Sequence, residues 1–350
     1  MTDSELPERP RRRPRYAGKN PQAFHEKYKE HQPERYAEDV AKVLAGGKTP
    51  AGMHRPIMVR EILELLAPRP GDVAIDCTLG YGGHARELLA AIQPGGRLLG
   101  VDADPLELPK TEARLRALGY SEESLIVRRM NFAGLPQFIL TQAPGGAHVL
   151  LADLGLSSMQ IDDPQRGFTF KADGPLDMRM NVGHGQPASA LLNKLDEDDL
   201  AHLLVANADV AHPERLAAAI LHAHASSPLL TTQGLASVVR QAAARLSLDA
   251  DAPDNLVRGV FQALRIAVND EFGALEALLR SLPVCVQTGG RIAILTFHSG
   301  EDRRVKEAFK RGLETGVYSS VSKEVMRPSR EEQHSNPRSS AAKLRVATRG

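Results

Sequence analysis

Tryptophan is missing from the chain, and aromatic residues make up only 4% of it. A Phe or Tyr beside a motif is therefore more informative here than in most proteins. Cysteine occurs twice, as Cys77 and Cys285, each in an apolar strand or helix-end setting. With no C-x-x-C spacing, neither a zinc framework nor a disulfide scaffold is indicated, which fits a reducing cytoplasm. No apolar run approaches the ~18 residues of a membrane span. The N-terminus is charged and proline-rich and lacks the apolar core of a secretory signal. Charge of one sign is also lacking: 44 Lys and Arg face 43 Asp and Glu, a formal net charge of +1. No global field draws this protein onto nucleic acid, so such binding must come from local patches. The remainder is ordinary for a globular protein, 42% hydrophobic and 25% charged over 350 residues. That length allows one large domain or two of ordinary size.

The organising stretch is Val73-Ala74-Ile75-Asp76-Cys77-Thr78-Leu79-Gly80-Tyr81-Gly82-Gly83-His84. A short apolar strand ends in an acid, a glycine-rich turn follows, and a helix opens at Ala85. Such a strand–turn–helix is a nucleotide-cofactor site, because backbone amides at the helix start meet the ligand with no Cβ in the way. Gly80-x-Gly82-x-x-Ala85 fits the dinucleotide fingerprint formally. Asp76 argues against a dinucleotide, since a carboxylate at the strand end repels a pyrophosphate. S-adenosylmethionine carries a sulfonium and an ammonium and no phosphate, so the same acid attracts it. Arg97–Asp102 reads as a second strand whose terminal acid lies about 20 residues beyond the glycines, the spacing for a carboxylate on ribose hydroxyls. Asp102 suits either cofactor, and Asp76 tips the choice to S-adenosylmethionine.

Around this stretch the chain reads as an α/β fold. Pro56 to Leu66 has a helical apolar face. Strands are expected at 73–77, 97–102, 125–129 and 147–153, with helices between them, which implies a parallel sheet covered on both faces. Ligands then bind at the carboxyl ends of the strands, where Asp76, Asp102, Phe132 and Asp153 stand. The alternation stops after Asp162. Helices are expected at 188–193, 196–205, 213–225 and 232–246, with Asp196 and Thr232 as N-caps. One long helix is expected over 256–282, then a strand at 291–297 and a last strand near 343–347. Residues 1–50 read as an extension. From Arg9 to Lys19 it is basic and proline-interrupted, either an RNA-phosphate contact or a solvated tail. One or two short helices are expected between 21 and 45.

Several motifs together resemble one family. Asp76-Cys-Thr-Leu-Gly-Tyr-Gly-Gly-His84 is similar to its cofactor loop. Asp153-Leu-Gly-Leu-Ser-Ser-Met-Gln160 is similar to DLGVSSxQ. Arg166-Gly-Phe-Thr-Phe170 with Asp173-Gly-Pro-Leu-Asp-Met-Arg-Met180 is similar to RGFSF…DGPLDMRM. Phe261–Ile266 with Val268-Asn269, Phe297–Arg303 and Asn336–Arg345 complete the series. This set resembles the RsmH (MraW) family of ribosomal small-subunit RNA methyltransferases, which methylate the N4 amine of a decoding-centre cytosine. The resemblance runs from about His54 to Arg349. It departs at Ala208-Asp209-Val210, at Asp254-Asn255-Leu256-Val257, at Gly300 where the family has Leu, and in the extra N-terminal arm.

The resemblance implies a class I methyltransferase sheet (51–161 and 259–350) with a helical substrate-recognition domain inserted at 162–258. It implies S-adenosylmethionine as cofactor, held by Gly82, Gly83, His84, Asp102, Phe132, Asp153 and Gln160, to which the strand–turn reading adds Asp76 and Gly80. It implies 16S RNA or the small subunit as partner, in the cytoplasm, and a homodimer is compatible with it. For catalysis, Asp153 with Ser157 or Ser158 is the expected hydrogen-bond acceptor for the amine, the alternative for the serines being turn formation. Phe168 and Phe170 either stack on the base or pack the insert. Arg166 and Arg179 either hold phosphates or pair with Asp163, Asp173 or Asp177. His298 and Asp302 are expected near the site as orienting groups. The alternatives are a methyltransferase of this fold with another substrate, and a non-catalytic assembly factor.

Overall fold

The apolar runs form a seven-stranded sheet in the order β3-β2-β1-β4-β5-β7-β6. The computed structural model describes residues 56–245 and 253–350. The basic arm, the short helices expected before residue 45 and His54 lie outside the described residues. In chain order the elements are α1 (Val59–Leu66), β1 (Val73–Asp76), α2 (Gly83–Ile92), β2 (Arg97–Asp102), α3 (Leu108–Ala117), β3 (Leu125–Arg129), α4 (Leu135–Gln142), β4 (Ala147–Asp153) and α5 (Ser158–Asp162). Then follow α6 (Ala188–Leu191), α7 (Glu197–Ala208), α8 (Pro213–Ser226), α9 (Thr232–Arg245), α10 (Pro253–Asn269) and α11 (Glu271–Cys285). The last are β5 (Val286–Thr296), α12 (Ser299–Glu314), β6 (Tyr318–Val321), α13 (Arg330–Ser335) and β7 (Lys343–Arg349).

Strands β1 to β5 are parallel, and β7 runs antiparallel between β5 and β6. Strand β4 is buried at 147 and again from Val149 through Ala152, the near-continuous apolar run of a strand covered on both faces. One face packs against Phe138, Leu278 and Phe309 of α4, α11 and α12. The other packs against Ile62, Leu88 and Leu115 of α1, α2 and α3. The strand order reverses at β1, which lies between β2 and β4. A crevice therefore opens at the carboxyl ends of these strands, where Asp76, Asp102 and Asp153 stand.

Helices α6 to α10 build a third core from Leu204, Ile220, Val239, Val257 and Leu264. The isolated Pro175–Thr231 bridge is the sole β pairing among the described residues of 162–258. Asp196 caps α7, accepting from Asp199 N at 2.8 Å. The cap of α9 is Thr231, whose Oγ1 accepts from Gly234 N at 3.1 Å. Thr232 is instead buried, its hydroxyl on Ala172 O.

The long helix expected over 256–282 is two helices. Asp270 breaks it in the left-handed region at φ 48°, which Asp tolerates better than most residues. Asn269 shows why the break is there. Its Nδ2 donates to Met178 O and its Oδ1 accepts from Met180 N, both at 2.7 Å. A side chain spent on a distant loop fixes where α10 stops.

Candidate active site

The strand-end acids share one cavity of about 390 Å³. Asp76, Gly80, Gly83, His84, Asp102, Phe132, Asp153, Ser157, Ser158, Gln160 and His298 all line it. Thr78 N donates to Asp76 Oδ1 at 3.0 Å, and Thr78 Oγ1 accepts from Asp153 N at 2.7 Å, so one residue ties two strand ends together. Asp102 accepts from Gly80 N at 2.7 Å and from Asp104 N at 2.8 Å. These bonds hold the glycine turn over the end of β2 and leave each carboxylate oxygen a free lone pair.

The electrostatics suit a cation. Burial pushes Asp76 up to about 6, against the pull of His84 and the Thr78 amide, with Asp153 and Asp102 adding to the rise. Burial also raises Asp102, although the amides of Asp104 and Gly80 oppose it. Positive charge placed among such acids relieves both effects. Among the buried atoms without a hydrogen-bond partner are His84 Nε2 and Asp153 Oδ1. The imidazole and the other carboxylate oxygen stand 3.5 Å apart. Unpaired polar atoms facing a cavity mark where a ligand completes the structure.

Gly82 does not line this cavity. It sits at φ +81°, and a Cβ there would meet Thr111 Cγ2 at 2.9 Å. The missing side chain lets the turn lie against α3. Thr111 Oγ1 donates to Gly80 O at 2.5 Å, and the Arg114 guanidinium covers the Tyr81 ring at 3.5 Å. This backing from α3 carried no motif of its own.

Ser157 caps α5, accepting from Gln160 N, while Gln160 Oε1 accepts from Ser157 N at 2.9 Å. The turn-forming role is thus visible in the geometry. The other end of the Gln160 amide donates to Asp104 Oδ2 at 2.7 Å.

Asp104, absent from the expected residues, is the hub of the floor. It is 2% exposed and accepts from Leu106 N, Gln160 Nε2 and Arg166 Nη1. Arg166 is therefore not a phosphate ligand. Its guanidinium is buried against Asp104 at 2.8 Å and donates also to the carbonyls of Arg179 and Met180. None of the three acids expected to pair with it does so. Arg179 pairs with Asp177, a two-bond contact of 2.8 and 2.7 Å. Neither residue lines the cavity, and neither do Phe168 and Phe170, which pack against the third core. The Phe170 ring meets Phe261 edge-on at 5.3 Å.

The wall facing the strand ends comes from α10, α11 and the start of α12. Arg265 grips Glu271 with bonds of 2.7 and 2.9 Å. Glu301 is buried, accepts from Phe297 N at 2.8 Å and sits 3.2 Å from His298 Nε2. Glu271, His298 and Glu301 place ligand atoms within 4.8 Å of one another. Arg265 already neutralises Glu271, so the trio is a closed charge network rather than a ready metal site. Asp302, expected beside His298, turns away and pairs with Arg345 of β7 at 2.6 Å. Glu301 takes the place assigned to it. Arg265, Asn269 and Glu301 all fall within motifs already quoted, which is the signal that could have found them.

The family model for the MraW methylase family matches residues 51–350. The chain belongs to that family. It is accordingly a methyltransferase. It is 46% identical to ribosomal RNA small subunit methyltransferase H 2 of Alkaliphilus metalliredigens, over 97% of this chain and 98% of that one. It is 44% identical to ribosomal RNA small subunit methyltransferase H 1 of Lachnoclostridium phytofermentans, over 96% and 92% of the two chains. A methyltransferase H from Acidobacterium capsulatum is 38% identical over 84% of this chain and 97% of its own. Among the described residues, no helix is long and apolar enough to cross a membrane.

One departure from the family pattern has a packing reason. A Cβ at Gly300 would lie 2.6 Å from Phe272 Cζ and 3.2 Å from His298 Nδ1. Phe272 fills the space that a Leu at 300 would need, and its ring also carries the Arg304 guanidinium at 3.6 Å.

Proposed function

We propose that this methyltransferase transfers a methyl group from S-adenosylmethionine to the exocyclic N4 amine of a cytosine in small-subunit (16S) ribosomal RNA. The observation that carries the reading is Asp153 at the end of β4, with one carboxylate oxygen buried in the cavity and unpaired. The names of its relatives point to small-subunit RNA. The cavity falls in the range of small-molecule sites, ~300–1,000 Å³.

S-adenosylmethionine supplies an activated methyl on a sulfonium. Asp76 and Asp102 favour its positive charge, and Asp102 keeps lone pairs for ribose hydroxyls. Gly80 and Gly83 bring backbone close, Phe132 and Gln160 flank the cavity, and His84 offers Nε2. The cytosine amine is a poor nucleophile because its lone pair is delocalised into the ring. Asp153 Oδ1 accepts a hydrogen bond from the amine N–H, which favours pyramidal nitrogen. Ser158 lines the same cavity. Positioning supplies most of the acceleration, roughly 7–11 kcal/mol. The base reaches the cavity by leaving its stack or from a single strand. His298 and the insert-facing wall meet the base.

The test is mass spectrometry of nuclease fragments of small-subunit RNA from a strain lacking this gene, with purified protein and S-adenosylmethionine added back. Loss of N4-methyl on cytosine and its restoration are expected. Unmodified wild-type RNA, or methylation untouched by the deletion, would overturn the assignment. Titration calorimetry with S-adenosylmethionine separately checks the cofactor.

A further inference from the structure

Helix α10 carries one polar stripe from the cavity to the surface. Arg258, Gln262, Arg265 and Asn269 are spaced four, three and four residues apart and so share a face. Gln262, Arg265 and Asn269 line the cavity. Arg258 is exposed and lies about 6 Å beyond Gln262 along the helix axis. Its Nη1 donates to Asn255 Oδ1 at 2.7 Å, and no carboxylate among the described residues pairs with it.

A second guanidinium stands across a short turn. Val210 Cγ2 lies 3.0 Å from where a Cβ of Gly259 would be, so the turn after α7 packs on α10 one residue along the chain from Arg258. The preceding Asp209 sits 3.7 Å from Arg303 Nη2 on α12, and both side chains are 64% exposed. So loose and wet a pair exchanges partners at little cost. Helix α12 starts in the cavity with His298 and Glu301, so both arginines lie on elements that lead out of the site.

We propose that Arg258 and Arg303 hold the backbone phosphates flanking the target nucleotide, making the outer half of α10 the track on which a single RNA strand enters the cavity. The proposal rests on the functional reading above. Guanidinium matches phosphate geometry with two parallel bonds, and two such groups at one mouth fix a strand's register without reading its bases. This places the phosphate contacts on α10 and α12 and not on Arg166 and Arg179, for which phosphate binding and pairing with a nearby acid were equal expectations.

The experiment measures binding of a fluorescent small-subunit RNA fragment containing the target cytosine, by anisotropy over a salt series. Wild type, Arg258→Ala, Arg303→Ala and the double variant are compared, with Lys310→Ala as an exposed control. Each arginine variant is expected to weaken binding roughly 3–10-fold and to lower the salt slope by about one. The turnover number at saturating RNA and the affinity for S-adenosylmethionine stay at the wild-type level. Variants that bind with wild-type affinity and slope, while the wild type methylates the fragment, would overturn the track and leave the function intact. A wild type that binds and never methylates would overturn the function, and weakened variant binding would still support the track. A wild type that binds no RNA overturns both.

Discussion

The two walls of the cavity treat their polar groups differently. Along the strand ends, His84 Nε2 and Asp153 Oδ1 are buried without hydrogen-bond partners, and three acids crowd together. Toward α10 and the 166–180 loop the polar groups answer one another: Asp104 holds Arg166, Arg265 holds Glu271, and Asn269 holds the Met178 and Met180 backbone. An unsatisfied buried group is expensive and persists where a ligand completes it. A satisfied buried pair is architecture, and its loss is felt in stability. The difference separates groups with bonding capacity left for a ligand from groups already spent on holding α10, α11 and the 166–180 loop together. His298 is the exception on the closed wall: its Nε2 lies 3.2 Å from Glu301, but its Nδ1 is buried without a hydrogen-bond partner. That nitrogen is open to a ligand.

The sharpest test substitutes one residue on each wall. Asp153→Ala is expected to lower methyl transfer about 10²–10⁴-fold, the usual range for a positioned acceptor. Its unfolding free energy should stay near wild type, because an unpaired buried acid is being removed. Asp104→Ala should behave oppositely. It leaves Arg166 as an uncompensated buried charge, and breaking such a pair costs about 3–5 kcal/mol. Urea unfolding beside single-turnover rates checks both. If Asp153→Ala unfolded as readily as Asp104→Ala, the distinction between the walls would be wrong.

How the two walls could be read from sequence follows from the distance over which their residues act. Asp76, Asp102 and Asp153 each close a local apolar run, so alternation places them on one sheet edge before any tertiary fact is known. The Arg166–Asp104 bond spans 62 residues, and nothing near Arg166 announces it. The nearby Asp163, Asp173 and Asp177 were better partners by local reasoning. The break at Asp270 was hidden in the same way. Val268, Phe272 and Leu275 continue the helical period across it, while the clamp by Asn269 on the 178–180 loop is a tertiary contact. Glu301 and Asp302 are adjacent acids at a helix start, and only the position of Arg345 decides which of them faces the cavity.

The Gly300–Phe272 contact tests the closed wall by volume. Gly300→Leu puts a side chain where Phe272 sits and should cost about 1–3 kcal/mol, the usual penalty for overpacking. Adding Phe272→Leu should recover most of that loss, since the pair shares one space. A double variant no better than Gly300→Leu alone would mean that the glycine serves the His298 loop rather than the ring.

On the open wall, pH gives a finer test. Burial raises Asp76 to about 6 from 3.8, so its carboxylate lowers stability as pH climbs through that window and adds no further change above it. Cofactor binding should run the other way. A cation favours ionised Asp76 and lowers its pKa, so S-adenosylmethionine affinity should rise with pH and level off above about 6. Asp76→Asn should flatten that profile in calorimetric titrations. A slope unchanged in the variant would assign the titration to another group.

The smallest effect belongs to the partly buried Asp177–Arg179 pair in the 173–180 loop. Burial tends to raise Asp177, but the Arg179 guanidinium and amide override it and hold the carboxyl below its ordinary 3.8. The stability this pair adds is present above 3.8 and disappears as pH falls through the lowered value. Its charges are partly solvated, so Arg179→Ala should cost at most about 1 kcal/mol at neutral pH. If Arg179 instead reached RNA phosphates, the variant would lose RNA affinity and salt slope while keeping its stability. That outcome would extend the ligand-facing surface into the insert, past the closed wall that Asp104 and Arg166 define.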